Sequence, residues 1–122
     1  MLFRSTGFVT VFSPIASDLT VTIIQGDSYN NADGRAITWT GSSASWPSLT
    51  GATLVWTARY ETGETAKTAT VTGTYSARLE LASAESAALP AGSWTYDLRA
   101  TLSSGRVVTL AVAPLIIKQL EQ

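Results

Sequence analysis

The sequence predicts an all-β protein, a sandwich of seven to nine short antiparallel strands with one short helical turn near 83–89 and a barrel as the second architecture. Three observations carry this. Over 89–112, Trp94, Tyr96, Leu98, Ala100 and Leu102 alternate strictly with Thr95, Asp97, Arg99 and Thr101. A strand turns successive side chains to opposite faces, so the first set is predicted buried and the second wet. Similar alternating runs recur along the chain with turn residues between them. Finally, charged residues are sparse (14%) and hydroxyl residues abundant, which suits strands because Thr is β-branched and favours extended backbone.

Residues 1–18 read either as a first strand over 7–12 belonging to the domain's own sheet, or as an arm that packs on a neighbouring subunit by strand addition. Phe3, Phe8, Val9, Val11 and Phe12 are its large apolar groups and the candidate subunit-interface residues. In 19–25, Leu19, Val21 and Ile23 share one face of a predicted strand, with Thr20 and Thr22 opposite. Gly26, Asp27 and Ser28 form a turn, and 35–40 is a strand with Ile37 and Trp39 on one face. The Ser-rich loop 41–48 holds Trp46, which is expected to cover the open end of a core because Trp buries so much area.

In 52–60, Leu54, Trp56, Ala58 and Tyr60 share a face, and 61–64 turns the chain into a hairpin. Residues 68–72 and 75–81 are one strand interrupted near Gly73 or two short ones, with Ala77, Leu79 and Leu81 inward and Arg78 and Glu80 outward. Ser83 is the predicted cap of the helical turn, which Pro90 and Gly92 end. Ser103, Ser104, Gly105 and Arg106 turn the 89–112 hairpin, and Val108, Leu110 and Val112 resume the inward alternation. A last short apolar run spans 114–117, and 118–122 is a polar tail, leaving 19–117 as the single domain.

The composition excludes several functions. The net charge is −1 with no long Lys/Arg cluster, so a surface that tracks nucleic-acid phosphates is not expected. There is no cysteine and no histidine, which removes disulfides, thiolate metal sites, the commonest general base and the commonest metal ligand. The start of the chain is broken by Ser5, Thr6, Gly7, Thr10 and Ser13 and reads as mature sequence rather than a signal peptide. No apolar run approaches the ~20 residues that cross a bilayer, so no membrane partner is expected.

Six pieces of sequence stand in a telling order: I-Q-G-D-S-Y (24–29), L-T-G-A-T-L-V-W-T-A-R (49–59), V-T-G (71–73), L-E-L-A-S-A-E-S-A-A-L-P-A-G (79–92), W-T-Y-D-L-R-A-T (94–101) and V-V-T-L (107–110). Together they resemble the immunoglobulin-like domain of small tailed-phage virion proteins, the family that includes the N-terminal domain of the lactococcal phage baseplate upper protein. The likeness covers about 19–114. It implies an immunoglobulin-like sandwich located in the virion, with no catalytic residues and no cofactor. The implied partners are other virion proteins and further copies of this chain, as a trimer or larger symmetric assembly. Two departures, the arm 1–18 and the missing helical stalk, favour an adaptor or decoration subunit in the tail, baseplate or fibre-attachment region. A head decoration (cement) protein is the alternative.

Other chemistry was weighed against this. The loop 27–34 is rich in Asp and Asn, but counting back from Gly34 places Tyr29 and Thr40 where a helix-loop-helix calcium site needs carboxylates, so the turn reading is preferred. Asp97 and Arg99 are candidates for a cross-strand ion pair, and Glu80 is the one carboxylate with any logic as a catalytic partner for Asp97. The alternative of another class is a carbohydrate-binding module, in which Trp46, Trp39 and Tyr29 would stack on a sugar if exposed. An enzyme is not expected.

Overall fold

The structure is a computed structural model, and its described residues are 14–119. The candidate interface residues Phe3, Phe8, Val9, Val11 and Phe12 therefore lie outside the described residues. Seven strands and one helix follow in order: β1 (Val21–Ile24), β2 (Ile37–Thr40), β3 (Thr53–Tyr60), β4 (Gly63–Gly73), β5 (Ser76–Leu79), α1 (Ser83–Ala87), β6 (Gly92–Thr101) and β7 (Val107–Lys118). The protein is all-β, as the alternation requires. The strands join in the order β1-β7-β6-β3-β4-β5-β2, a mixed sheet that is nearly closed.

Not every pairing is antiparallel, as the sequence reading had it: β1 runs parallel to β7, with Val21 opposite Leu115 and Ile24 opposite Lys118. Only a tight hairpin forces antiparallel pairing, and almost the whole domain separates these two strands in sequence. β4 is shared between two neighbours. Its residues 63–69 pair with β3, whereas Thr70, Val71 and Gly73 pair with β5. The two-residue link Glu61-Thr62 closes the β3–β4 hairpin, since Tyr60 stands opposite Gly63.

The core follows the alternating sets. Ile37 and Trp39 of β2, Leu54, Trp56 and Ala58 of β3, Ala77 and Leu79 of β5, and Tyr96, Leu98 and Ala100 of β6 are all buried. At roughly 1.5–3 kcal/mol for each large apolar side chain removed from water, this shared inner volume is what holds the strands together.

Three details depart from simple alternation. Leu19, expected to point inward, is instead 37% exposed and sits at φ 74 in the turn before β1. A left-handed backbone costs an L-residue roughly 1–2 kcal/mol. The turn is tied by the Thr20 N–H donating to the Asp18 carboxylate (3.0 Å) and the Leu19 N–H donating to the Ala16 carbonyl (2.9 Å).

Val112, also expected inward, is 67% exposed. Leu98 pairs with Ala111 but Arg99 with Thr109, so Leu110 is an extra residue in β7. This bulge reverses the phase of the strand: Val108 and Leu110 face in before it, and Ala111, Ala113, Leu115 and Ile117 after it.

The run 114–117 is not a separate element but the continuation of β7 through Pro114. Pro114 stands opposite Thr95 of β6, one residue before pairing with β1 begins at Leu115. The β1 side of β7 is still an edge there, which is where a strand tolerates a missing N–H.

Candidate functional site

The three rings proposed for sugar stacking do not form a platform. Tyr29 and Trp39 are buried, at 0% and 1% exposure, so neither offers a face to a ligand. Trp39 on β2 donates its Nε1–H to the Tyr96 hydroxyl (3.0 Å), and that hydroxyl donates to the Leu19 carbonyl (2.6 Å). Desolvation raises the Tyr96 phenol above its ordinary value. Tyr29 joins the end of β5 through reciprocal backbone bonds with Leu81, and its hydroxyl accepts from the Ile24 N–H (2.7 Å). Burial raises its phenol as well, and the Arg35 guanidinium lies 5.0 Å from the ring centroid.

Trp46 is half-buried against the core, in the loop after β2. Its ring lies directly over Gly41, where a Cβ would stand 2.4 Å from the indole. A second pair of half-buried rings, Tyr60 and Trp94, meets at 6.0 Å and a 60° tilt. That tilt is edge-to-face packing rather than a flat surface for a sugar ring.

The polar clusters are engaged internally. Asp27 pairs with Arg35 at 3.1 Å, the Asn30 side-chain oxygen accepts from the Asp33 N–H, and Gly34 and Arg35 close backbone turns on Asn31 and Asn30. The Asp/Asn loop thus uses its oxygens as turn formers do. Among the described residues no group of three or more Asp and Glu side chains is placed to hold a metal ion.

Asp97 does form a cross-strand ion pair, with Arg59 of the neighbouring β3 (2.6 Å). Arg59 also reaches Glu64 at 2.7 Å, and hydrogen bonding to Asp97 is the first cause of its raised pKa. Asp97 is only 9% exposed, and its second oxygen, Oδ1, has no hydrogen-bond partner. Glu80, the proposed catalytic partner, accepts the Asn31 N–H (2.7 Å) and lies 3.9 Å from Arg78. Each carboxylate therefore serves a separate structural contact.

Sequence reasoning missed one cavity. A cavity of about 200 Å³ lies between β4 and the helix, lined by Trp56, Lys67, Leu81, Glu85, Ala88 and Leu89 among others. Trp56 is fully buried, yet its indole N–H has no hydrogen-bond partner. Lys67 of β4 and Glu85 of α1 form an ion pair between the two walls. Glu85 also accepts the Ala82 N–H (2.8 Å), so the helix is capped at Ala82 by a carboxylate reaching back, not by the Ser83 hydroxyl. The sequence carries no direct signal for it, because the space beside Trp56 depends on where the short helix S-A-E-S-A is placed.

No family model matches the sequence, and no curated protein matches it. Among solved structures the chain is similar to one described as a "putative glycoside hydrolase" from Bacteroides vulgatus ATCC 8482, with TM-score 0.49 and 11% identity over 83% of this chain. The chain corresponds to 17% of that protein's length.

Proposed function

We propose that this chain is a non-catalytic structural subunit of a bacteriophage virion, an adaptor or decoration protein whose domain is an immunoglobulin-like sandwich. The order β1-β7-β6-β3-β4-β5-β2 supports the sandwich. In this reading β1, β7, β6 and β3 are one layer and β5 and β2 the other, with β4, which changes partner at Thr70, passing between them. The order of sequence pieces that resembles the phage family runs through these same elements.

The observation that carries the structural reading is how the polar and aromatic residues are used. Tyr29, Trp39, Asp27, Arg59, Glu80 and Asp97 all make contacts within the domain. Two of the three rings a carbohydrate module would need are sealed in the core. What remains is surface suited to contact, including Val55, Val107 and Val112 on the outer side of the strands.

The arm is the assembly element in this reading. Among the described residues, the buried core is supplied by side chains from Val21 to Ile117. Deleting 1–13 is expected to leave a cooperatively folding protein that sediments as a monomer, while the full chain sediments as a homo-oligomer. A full chain that is monomeric, and absent from purified particles of its phage by mass spectrometry, would overturn the proposal.

A further inference from the structure

The described strands offer few places where another strand could add. β3 and β5 are flanked on both sides, β7 keeps a free side over 107–114 before its pairing with β1 begins at Leu115, and the free side of β1 is partly taken by Ile15, which bridges to Val21. β2 offers a free side of four residues. β4 offers a longer one: over residues 63–69 it pairs with β3 alone. An unpaired edge leaves alternate N–H and C=O groups without strand partners and acts as a template for an incoming chain. The side chains there are small or polar, and all are exposed except half-buried Lys67 and buried Ala69.

The same stretch of β4 borders the Trp56 cavity, which Thr65, Ala66 and Lys67 help to line. An edge gives an added strand its main-chain bonds, and a neighbouring pocket selects one of its alternate side chains. The cavity of about 200 Å³ equals roughly six or seven waters by volume at ~30 Å³ each, enough for one large apolar side chain.

We propose that the β4 edge and the Trp56 cavity are the acceptor for residues 7–12 of a second copy of this chain, added as an extra strand with one phenylalanine seated against Trp56. This rests on reading residues 1–13 as an exchanged arm. In G-F-V-T-V-F, strand geometry puts Phe8, Thr10 and Phe12 on one face and Val9 and Val11 on the other. Extended at ~3.3–3.6 Å per residue, thirteen residues reach about 45 Å from Pro14, ample for crossing to a neighbour. Charge agrees: Arg4 is the one charged side chain in 1–13, and with Glu64 paired to Arg59 and Glu85 to Lys67, Glu61 leaves a net negative charge beside the β4 edge.

The chain has no cysteine, so engineered cysteines report contacts cleanly. Full-length Thr10→Cys is mixed with full-length Thr65→Cys and oxidised mildly, with Thr10→Cys plus Thr40→Cys on the β2 edge as the reference pair. The Thr10–Thr65 crosslink is expected at least ten-fold above the reference, and Ala88→Arg, which crowds the cavity from an exposed position, is expected to abolish it. An oligomeric full chain that crosslinks equally at both edges, or keeps its crosslink with Ala88→Arg, overturns the acceptor and leaves the assembly reading standing. A full chain that light scattering shows to be monomeric overturns both.

Discussion

The indole of Trp39 donates to the hydroxyl of Tyr96 at 3.0 Å, a bond that ties β2 to β6 across the interior, between strands that are not neighbours in the sheet. The two rings lie 5.8 Å apart, and the Tyr96 hydroxyl donates its own hydrogen bond to the Leu19 carbonyl at 2.6 Å. A single oxygen thus holds β2, β6 and the left-handed turn before β1. The bond also explains why Trp39 cannot serve a ligand: its one polar group is already used.

Tyr96→Phe removes that oxygen and leaves a buried indole N–H and a carbonyl unpaired. The expected loss is about 1–3 kcal/mol of unfolding free energy, since an unsatisfied buried group costs its full desolvation. Denaturant unfolding measures it. A loss under about 0.5 kcal/mol would mean that water replaces the hydroxyl, a result this buried site does not lead one to expect.

Much of the fold was legible because β-alternation is local. Leu54, Trp56 and Ala58, or Ile37 and Trp39, announce an inner face without any knowledge of partners. What escaped the sequence depends on pairing. Val112 faces out because Leu110 is an extra residue against β6, and nothing in V-V-T-L-A-V marks which residue will bulge. The parallel β1–β7 contact joins opposite ends of the domain and leaves no local trace. The cavity escaped for a related reason: Trp56 is patterned as a core residue, and only the placement of α1 leaves space beside it.

Arg59 and Asp97 form an ion pair whose halves differ in exposure: the arginine side chain is 45% exposed, the aspartate 12%. Removing either partner therefore has unequal consequences. Asp97→Ala leaves a guanidinium that water and Glu64 can satisfy, whereas Arg59→Ala leaves a carboxylate with no partner on either oxygen in a nearly dry position. Arg59→Ala is expected to lower the melting temperature more than Asp97→Ala does, and the double variant to lose less than the sum of the two. Thermal unfolding of the three variants checks this, and equal single effects would count against it.

Glu85 titrates below its ordinary range, first because it accepts the Ala82 N–H and second because Lys67 donates to it. A depressed folded-state pKa means that the contribution is complete above the ordinary value of 4.5 and is lost as pH falls through the folded value. With the side chain 45% exposed, solvent screening limits the effect to under about 1 kcal/mol. Glu85→Gln is expected to be less stable than the parent at pH 7, with the gap narrowing as pH falls below 4.5. Parallel stability curves over that range would show that neither the cap nor the ion pair contributes.

Gly41 follows β2 at the point where Trp46 folds back on the loop. The loop is a compact turn: Ser42 accepts the Trp46 N–H at 2.8 Å and the Ser45 hydroxyl bonds back to the Ser42 N–H at 3.0 Å. A methyl group at position 41 would stand 2.4, 2.6 and 2.9 Å from three atoms of the indole, so the whole ring must move, not the tip of a flexible chain. Overpacking of this kind costs about 1–3 kcal/mol. Gly41→Ala is therefore expected to destabilise the domain by that amount and to expose the ring, shifting Trp46 emission, read as the difference from the spectrum of the Trp46→Phe variant, to longer wavelength. If Gly41→Ala is neutral and the emission is unchanged, Trp46 does not cover this end of the core, and its ring is free to meet a ligand.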